Sequence, residues 1–468
     1  MKYISTRGGD APKSFCEVVL EGLCRDGGLS MPESIPQISQ ETLTKWRNLT
    51  SYSDLALEVA SLYATDIPRE DLKKLVENAY NTQNFGVETI ISERSIGENV
   101  KVLGLSEGPT FAFKDMAMQF LGQLFPYVLE KMDRTLNIVG ATSGDTGSSA
   151  IHAMKGKPRI NVVMLSPHNR MSAFQTAQMY SVQEKNIYNI AVEGVFDDCQ
   201  DLVKALNNDI AFKEKFNLGA VNSINFARIL AQIIYYFKGY FMTTTSNDEV
   251  IDVVIPSGNF GNIFAGIMAR QMGLPIRKLI LATNENNVLD EFFKTGIYKP
   301  RASKDVHLTS SPSMDIAKAS NFERFIYLIT GSEKTKALWD MIDEQGYFDL
   351  TKDALWADRD SWNIESGESS HQDRIETIQR VFKESNELID PHTADGVFVG
   401  SHYLDSGITQ VCLETAKPIK FYETIKQAVN DAPFDLAEVE KIEALPQKKE
   451  VMANDAALLR QFIESALN

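Results

Sequence analysis

From about residue 98 onward, short apolar runs alternate with stretches of helical periodicity, and no other feature of the sequence constrains the fold as strongly. The runs fall at residues 100–105, 136–139, 160–165, 187–192, 250–255 and 278–281. Between them, apolar residues recur at helical spacing over 171–180, 198–206, 226–237 and 263–272. Strands alternating with helices predict βαβ units and parallel sheets. The Val/Ile runs are continuous, so the sheets are expected to be covered on both faces. At 468 residues the chain is too long for one ordinary core, and two or more domains are expected.

The flanks differ. Residues 1–85 read as mostly helical, with Ser14 and Glu17 forming a capping box ahead of Val18, Val19 and Leu20. Residues 350–390 are polar and predict surface helices and a loop, and residues 411–414 predict one more strand. Residues 426–468 predict a helical extension that ends in an amphipathic stretch over 456–467.

Charge and composition exclude several functions. A net charge of −16 argues against a nucleic-acid partner, though not against a small anion that senses only a local field. Cys16, Cys24, Cys199 and Cys412 form no C-x-x-C pair, and their spacing suits a reduced interior. No apolar run reaches membrane-spanning length, and residues 1–7 lack a signal-peptide core, so a cytoplasmic location is expected. The six histidines have no metal-binding spacing, so each is read as structural and no metal is expected. Asp390-Pro391-His392-Thr393-Ala394-Asp395-Gly396 is a polar turn to which spacing assigns no role.

Three clusters carry chemistry. Ser257-Gly258-Asn259-Phe260-Gly261-Asn262 lies between a predicted strand and helix, where glycines and a helix N-terminus turn N–H groups toward an anion such as phosphate. Alone, it serves equally as a plain strand-to-helix turn. Lys114 sits among Pro109, Phe111, Ala112, Phe113 and Met116, an apolar setting that favours the neutral amine needed for a Schiff base. Thr142-Ser143-Gly144-Asp145-Thr146-Gly147-Ser148-Ser149 gathers hydroxyls at a helix start, suited to a carboxylate or to N-capping. A phosphate cradle with one poised lysine points to pyridoxal 5'-phosphate (PLP).

These segments together resemble the threonine synthase family, PLP enzymes of the fold that includes the tryptophan synthase β-chain. The resemblance rests on Glu107 to Asp115, Gly140 to Gly147, Ser257 to Asn262, Asn222-Ser223-Ile224-Asn225, Ser311-Pro312-Ser313-Met314-Asp315 and Leu413-Glu414-Thr415-Ala416. It runs in order from Tyr3 to about Phe421 and is closest to the longer bacterial and fungal branch. It implies PLP in a cleft between two α/β subdomains of a catalytic region, residues 86–425. The small subdomain would span about 115–240, and the large one 86–114 plus 241–425. Lys114 would hold PLP as a Schiff base, Gly258, Asn259, Phe260, Gly261 and Asn262 would cradle its phosphate, and Thr415 would meet the pyridine nitrogen. Asp145 stands where many relatives of the wider fold carry an asparagine beside the ring oxygen.

The implied reaction converts O-phospho-L-homoserine and water to L-threonine and phosphate. Thr142, Ser143, Asn225 and Arg228 are candidates for the substrate anion, with Arg7 and Lys318 behind them. Asn225 and Arg228 are three apart on a predicted helix and can face one pocket. Competing readings are another PLP lyase of this fold, a catalytically silent ligand-binding homologue, and a nucleotide-binding switch. The last lacks the lysine that follows a Walker loop. The expected oligomeric state is a monomer or a homodimer.

Overall fold

The structure is a computed structural model that describes residues 1–434 and 436–467; Asp435 and Asn468, both in the predicted C-terminal extension, lie outside the described residues. Two sheets organise it. The larger runs in the order Ile364–Glu368, Ile276–Thr283, Ile251–Pro256, Thr409–Leu413, Val100–Gly104 and Ser92–Gly97. All its pairings are parallel except the last. The smaller is wholly parallel and runs Glu450–Ala453, Ile187–Glu193, Ile160–Pro167, Leu136–Ala141 and Leu218–Gly219.

The continuous Val/Ile runs are buried on both sides because alternate residues feed different cores. In the larger sheet, Val253, Ile255, Leu279 and Leu281 join the main core, whereas Val254, Ile280 and Ala282 join a second one under the helices His371–Ser385 and Pro391–Ser401. In the smaller sheet, Ile138, Val162 and Met164 join the main core, while Val139, Val163 and Leu165 face a third. Helix Phe226–Thr243 is buried nearly all round and packs on the helices Tyr52–Tyr63, Lys114–Lys131 and Gly261–Gln271. It therefore ties the N-terminal segment to both sheets.

The α/β class with parallel sheets holds, with corrections of detail. The stretch 350–390 contains an edge strand, Ile364–Glu368, where surface helices and a loop were expected. The C-terminal extension is not purely helical: Glu450–Ala453 adds an edge strand to the smaller sheet, and helix Ala456–Ala466 covers that sheet's third core. Ile364–Glu368 is polar and Glu450–Ala453 is only four residues long, so neither carries the continuous apolar run that marks a central strand. The N-terminal segment also forms a small hairpin-like pair, Tyr3–Ser5 with Ser30–Pro32. No helix among the described residues is long and apolar enough to cross a membrane.

Candidate active site

Three adjacent parallel strands deliver the key segments to one edge. In register, Leu103 lies beside Leu413, and Cys412 lies beside both Val102 and Val254. Beyond the carboxyl ends of these strands lie Lys114, Thr415 and the glycine turn, the place where open α/β sheets bind ligands. The lysine loop and the Thr415 segment are also clasped directly. Phe113 N–H donates to the Thr415 carbonyl at 2.9 Å, and Lys417 N–H donates to the Phe111 carbonyl at 3.0 Å. Phe111 adopts the left-handed conformation (φ 57°), strain that this clasp and its stack on Phe174 hold in place.

The glycine turn is built as an anion cradle. Phe260 is left-handed (φ 63°), and its fully buried ring packs against Phe322, Phe325 and Phe293, anchoring the turn at the helix start. Backbone strain of about 1–3 kcal/mol is offset by burial of a Phe side chain, worth a similar amount. Among the described residues the backbone N–H groups of 258–262 meet no acceptor, and the helix Gly261–Gln271 has no side-chain cap. A Cβ at Gly258 would lie 2.7 Å from Ile316 Cγ1 and 3.1 Å from Met314 Cα. A Cβ at Gly261 would lie 3.2 Å from Asn321 Nδ2, a buried donor with no partner among the described residues. The side chain of Asn262 turns away: its Oδ1 accepts from Tyr235 Oη at 2.6 Å and Tyr236 Oη at 3.1 Å, leaving its backbone N–H for the cradle. The Asn259 carbonyl accepts from Asn321 N–H at 3.0 Å.

The amine and the cradle share a lining segment. Met314 abuts Gly258, and its neighbour Ser313 puts Oγ 3.4 Å from Lys114 Nζ. Lys114 opens the helix Lys114–Lys131, pairs with Asp145 Oδ2 at 3.8 Å and keeps 12 % of its side chain exposed. Burial lowers its pKa from the ordinary lysine value; Asp145 opposes this, while the charges of Lys420 and Arg228 add to it. Asp145 receives Ser313 Oγ at 2.9 Å and Lys420 Nζ at 2.7 Å. Burial alone would raise its pKa, but Lys420 and Lys114 outweigh that and hold it well below the usual carboxylate range. Thr415 is buried, its N–H donates to Thr393 Oγ1 at 3.1 Å, and its own hydroxyl has no partner among the described residues.

The substrate candidates divide. Arg228 is 5 % exposed and donates from one Nη to the Val221 carbonyl at 3.1 Å; among the described residues its Nε is unsatisfied and no carboxylate pairs with it. Burial pushes its pKa down to about 10. Thr142 is buried, and its Oγ1 accepts from the N–H groups of Gly144 and Gly147 at 3.0 and 2.9 Å, leaving its own proton to donate. Ser143 is exposed beside it. Asn225, in contrast, caps its helix through Ala227 N–H at 3.0 Å and donates to the Val19 carbonyl at 2.8 Å. Arg7 is engaged by both oxygens of Glu323 at 2.9 and 3.0 Å. Lys318 is exposed on a loop and forms no ion pair among the described residues.

Four contributors were given no site role by the sequence: Lys420, Asn321, Ser313, which lies in a segment that carries the resemblance, and His392, in the polar turn. His392 is fully buried; its Nδ1–H donates to Asp390 at 2.7 Å, and its Nε2 accepts from Ser313 N–H at 3.0 Å. Asp390 also receives the Thr393 hydroxyl and Ala416 N–H, so the polar turn of unassigned role joins Ser313 to the Thr415 segment. Only the polarity of that turn could have pointed to it.

The cluster sets Lys114, Lys420 and Arg228 against Asp145 and Asp115, a local surplus of positive charge in an acidic protein. The unpaired N–H groups, Gly258 with no room for a Cβ, the tight approach at Gly261 and the loosely held Lys114 amine fit PLP. Arg228 is left over for a second anion.

Comparison with known proteins agrees. Two family signatures match, "Threonine synthase N terminus" over residues 2–80 and "Threonine synthase, C-terminal" over residues 393–463. The chain is 50 % identical over 472 residues to threonine synthase of Methylobacillus glycogenes, covering 99 % of each chain. It is 49 % identical over 475 residues to that of Corynebacterium glutamicum, covering 100 % of this chain and 99 % of the other. Among solved structures, PLP-bound threonine synthase from Brucella melitensis superposes with a TM-score of 0.95 at 36 % identity, with 100 % of both chains covered.

Proposed function

Since this chain belongs to the threonine synthase family, we infer that it converts O-phospho-L-homoserine and water to L-threonine and inorganic phosphate with PLP as cofactor. When bound, PLP supplies the electron sink that stabilises negative charge at two successive substrate carbons. Everything else falls to the protein. The single observation that carries the residue assignment is the meeting of Lys114, the glycine turn and Thr415 at the ends of three adjacent strands.

In this reading Lys114 holds the cofactor and, once the substrate amine displaces it, moves protons at the adjacent carbons. Ser313, within reach of Lys114 and Asp145, orients that amine. Residues 258–262 hold the cofactor phosphate through their free N–H groups, and Asn321 Nδ2 adds a side-chain donor. Thr415 faces its hydroxyl to the pyridine nitrogen. Arg228 takes the substrate phosphate, because a buried guanidinium with an unsatisfied Nε and no carboxylate partner among the described residues gains charge-assisted hydrogen bonds from an anion. Thr142 and Ser143, with the N-terminus of helix Asp145–Met154, take the substrate carboxylate. Asn225 and Arg7 act as braces: the first fastens helix Phe226–Thr243 to the N-terminal segment, and the second fastens that segment to Glu323. We place the enzyme in the cytoplasm, supported by four cysteines that are all free and buried.

Stoichiometric release of phosphate and threonine from O-phospho-L-homoserine tests this reading. Formation of 2-oxobutyrate without threonine would assign the chain to dehydratase chemistry instead.

A further inference from the structure

A lysine facing one buried carboxylate ordinarily forms a close ion pair, which fixes the proton on the amine. Here that pair is long, because a second lysine lies closer to the same carboxylate. Lys420, on the turn Pro418–Phe421, has no solvent exposure; its Nζ lies 2.7 Å from Asp145 Oδ1 and donates to the Thr110 carbonyl at 2.7 Å. The other Asp145 oxygen already accepts from Ser313 at 2.9 Å. Lys114 Nζ is left with the long ion pair at 3.8 Å to that oxygen, a 3.4 Å hydrogen bond to Ser313 Oγ and the face of the Phe113 ring at 5.2 Å.

We propose that Lys420 is a positioning residue for Lys114: it takes the Asp145 carboxylate as its own closer partner and so loosens that carboxylate's hold on the Lys114 amine, leaving the amine free to react. This rests on the reading that Lys114 is the cofactor lysine. The reactive step is addition of the neutral amine to the cofactor's aldehyde carbon, with a C=N bond formed and the carbonyl oxygen leaving as water. A protonated amine has no electron pair for it. The charged and titratable groups that act on Lys114 are Asp145, Lys420, Arg228 and Asp115, with His392 acting on Asp145 from the far side. Removal of the Lys420 charge takes a repelling cation away and frees the carboxylate for Lys114, and both effects raise the pH at which the amine becomes neutral.

The test uses the full-length chain freed of cofactor, comparing wild type with K420M, K420Q and K420R. Pulse labelling with an amine-acylating reagent across pH, read by peptide mass spectrometry, gives the midpoint for Lys114; exposed Lys45 and Lys204 are internal controls. The expected result is a Lys114 midpoint raised by about one pH unit or more in K420M, since a nearby charge moves a lysine by roughly 1–3 units. PLP uptake at pH 7, followed by visible absorbance, should slow about tenfold. K420R should stay close to wild type. If K420M does not fold, K420Q, which keeps a donor for the Thr110 carbonyl, is read in its place. An unchanged midpoint in a folded K420M or K420Q, or a K420R that behaves as K420M does, overturns the proposal. Failure of the underlying reading shows separately, as borohydride-fixed cofactor on a lysine other than Lys114.

Discussion

Replacement of Arg228 by methionine is expected to leave the cofactor-free protein as stable as the wild type, or more stable, while removing most of its activity. The expectation follows from the guanidinium's isolation: one hydrogen bond to the Val221 carbonyl at 3.1 Å, an unsatisfied Nε and no carboxylate among the described residues. Burial depresses its pKa from 12.5 to about 10, which at ~1.4 kcal/mol per pH unit corresponds to about 3 kcal/mol of desolvation cost. Methionine removes that cost but orphans the Val221 carbonyl, a penalty of about 1–3 kcal/mol. The net change is therefore roughly 0–2 kcal/mol in favour of the variant. Catalysis moves the other way, because the lost charge-assisted contacts to phosphate are worth about 2–4 kcal/mol, or ~30–1000-fold in kcat/KM. Urea unfolding of the cofactor-free proteins, with and without inorganic phosphate, reads the first part, and phosphate release reads the second. Phosphate should stabilise the wild type more than the variant, in which only the glycine turn is left to bind it. A variant that loses more than about 2 kcal/mol yet keeps its kcat/KM would refute the reasoning and make Arg228 a structural residue.

Three further expectations are independent of that one. G258A places a methyl 2.7 Å from Ile316 Cγ1 and 3.1 Å from Met314 Cα; overpacking of about 1–3 kcal/mol should weaken PLP retention ~5–150-fold in dialysis, with secondary structure unchanged by circular dichroism. H392L strands Ser313 N–H and Asp390, so it should cost about 1–3 kcal/mol of thermal stability and lower kcat more than it changes KM. Burial depresses His152 from 6.5 to about 4, its Nε2 donating to the Gln178 carbonyl at 2.9 Å. The unfolded chain thus binds the extra proton first. Stability is complete above pH 6.5 and falls as pH drops toward 4, by on the order of 1–3 kcal/mol, and H152Q should flatten that slope in acid titrations.

The central strands were legible because burial on both faces forces continuous Val/Ile runs; apolar neighbours made Lys114 a candidate, and the family resemblance singled it out. Edge strands such as Ile364–Glu368 were not, since a half-solvated strand needs no such composition. Pairing across long sequence distances was equally hidden. Arg7 looked like an anion site until Glu323, 316 positions away, was found to occupy it. Asn225 likewise looked available until Val19 and Ala227 took both ends of its amide. Arg228 is the converse case: the absence of a partner makes it interesting, and no local pattern shows an absence. Lys420 sits in an ordinary Pro-Ile-Lys-Phe segment, and its role depends on Asp145, which arrives from the other sheet.

The account turns on which amine the cofactor meets at the mouth of the glycine turn. Borohydride reduction of the PLP-loaded enzyme, followed by peptide mass spectrometry, answers that directly. The phosphopyridoxyl mass should appear on Lys114 alone, and its appearance on Lys420 or any other lysine would contradict the account.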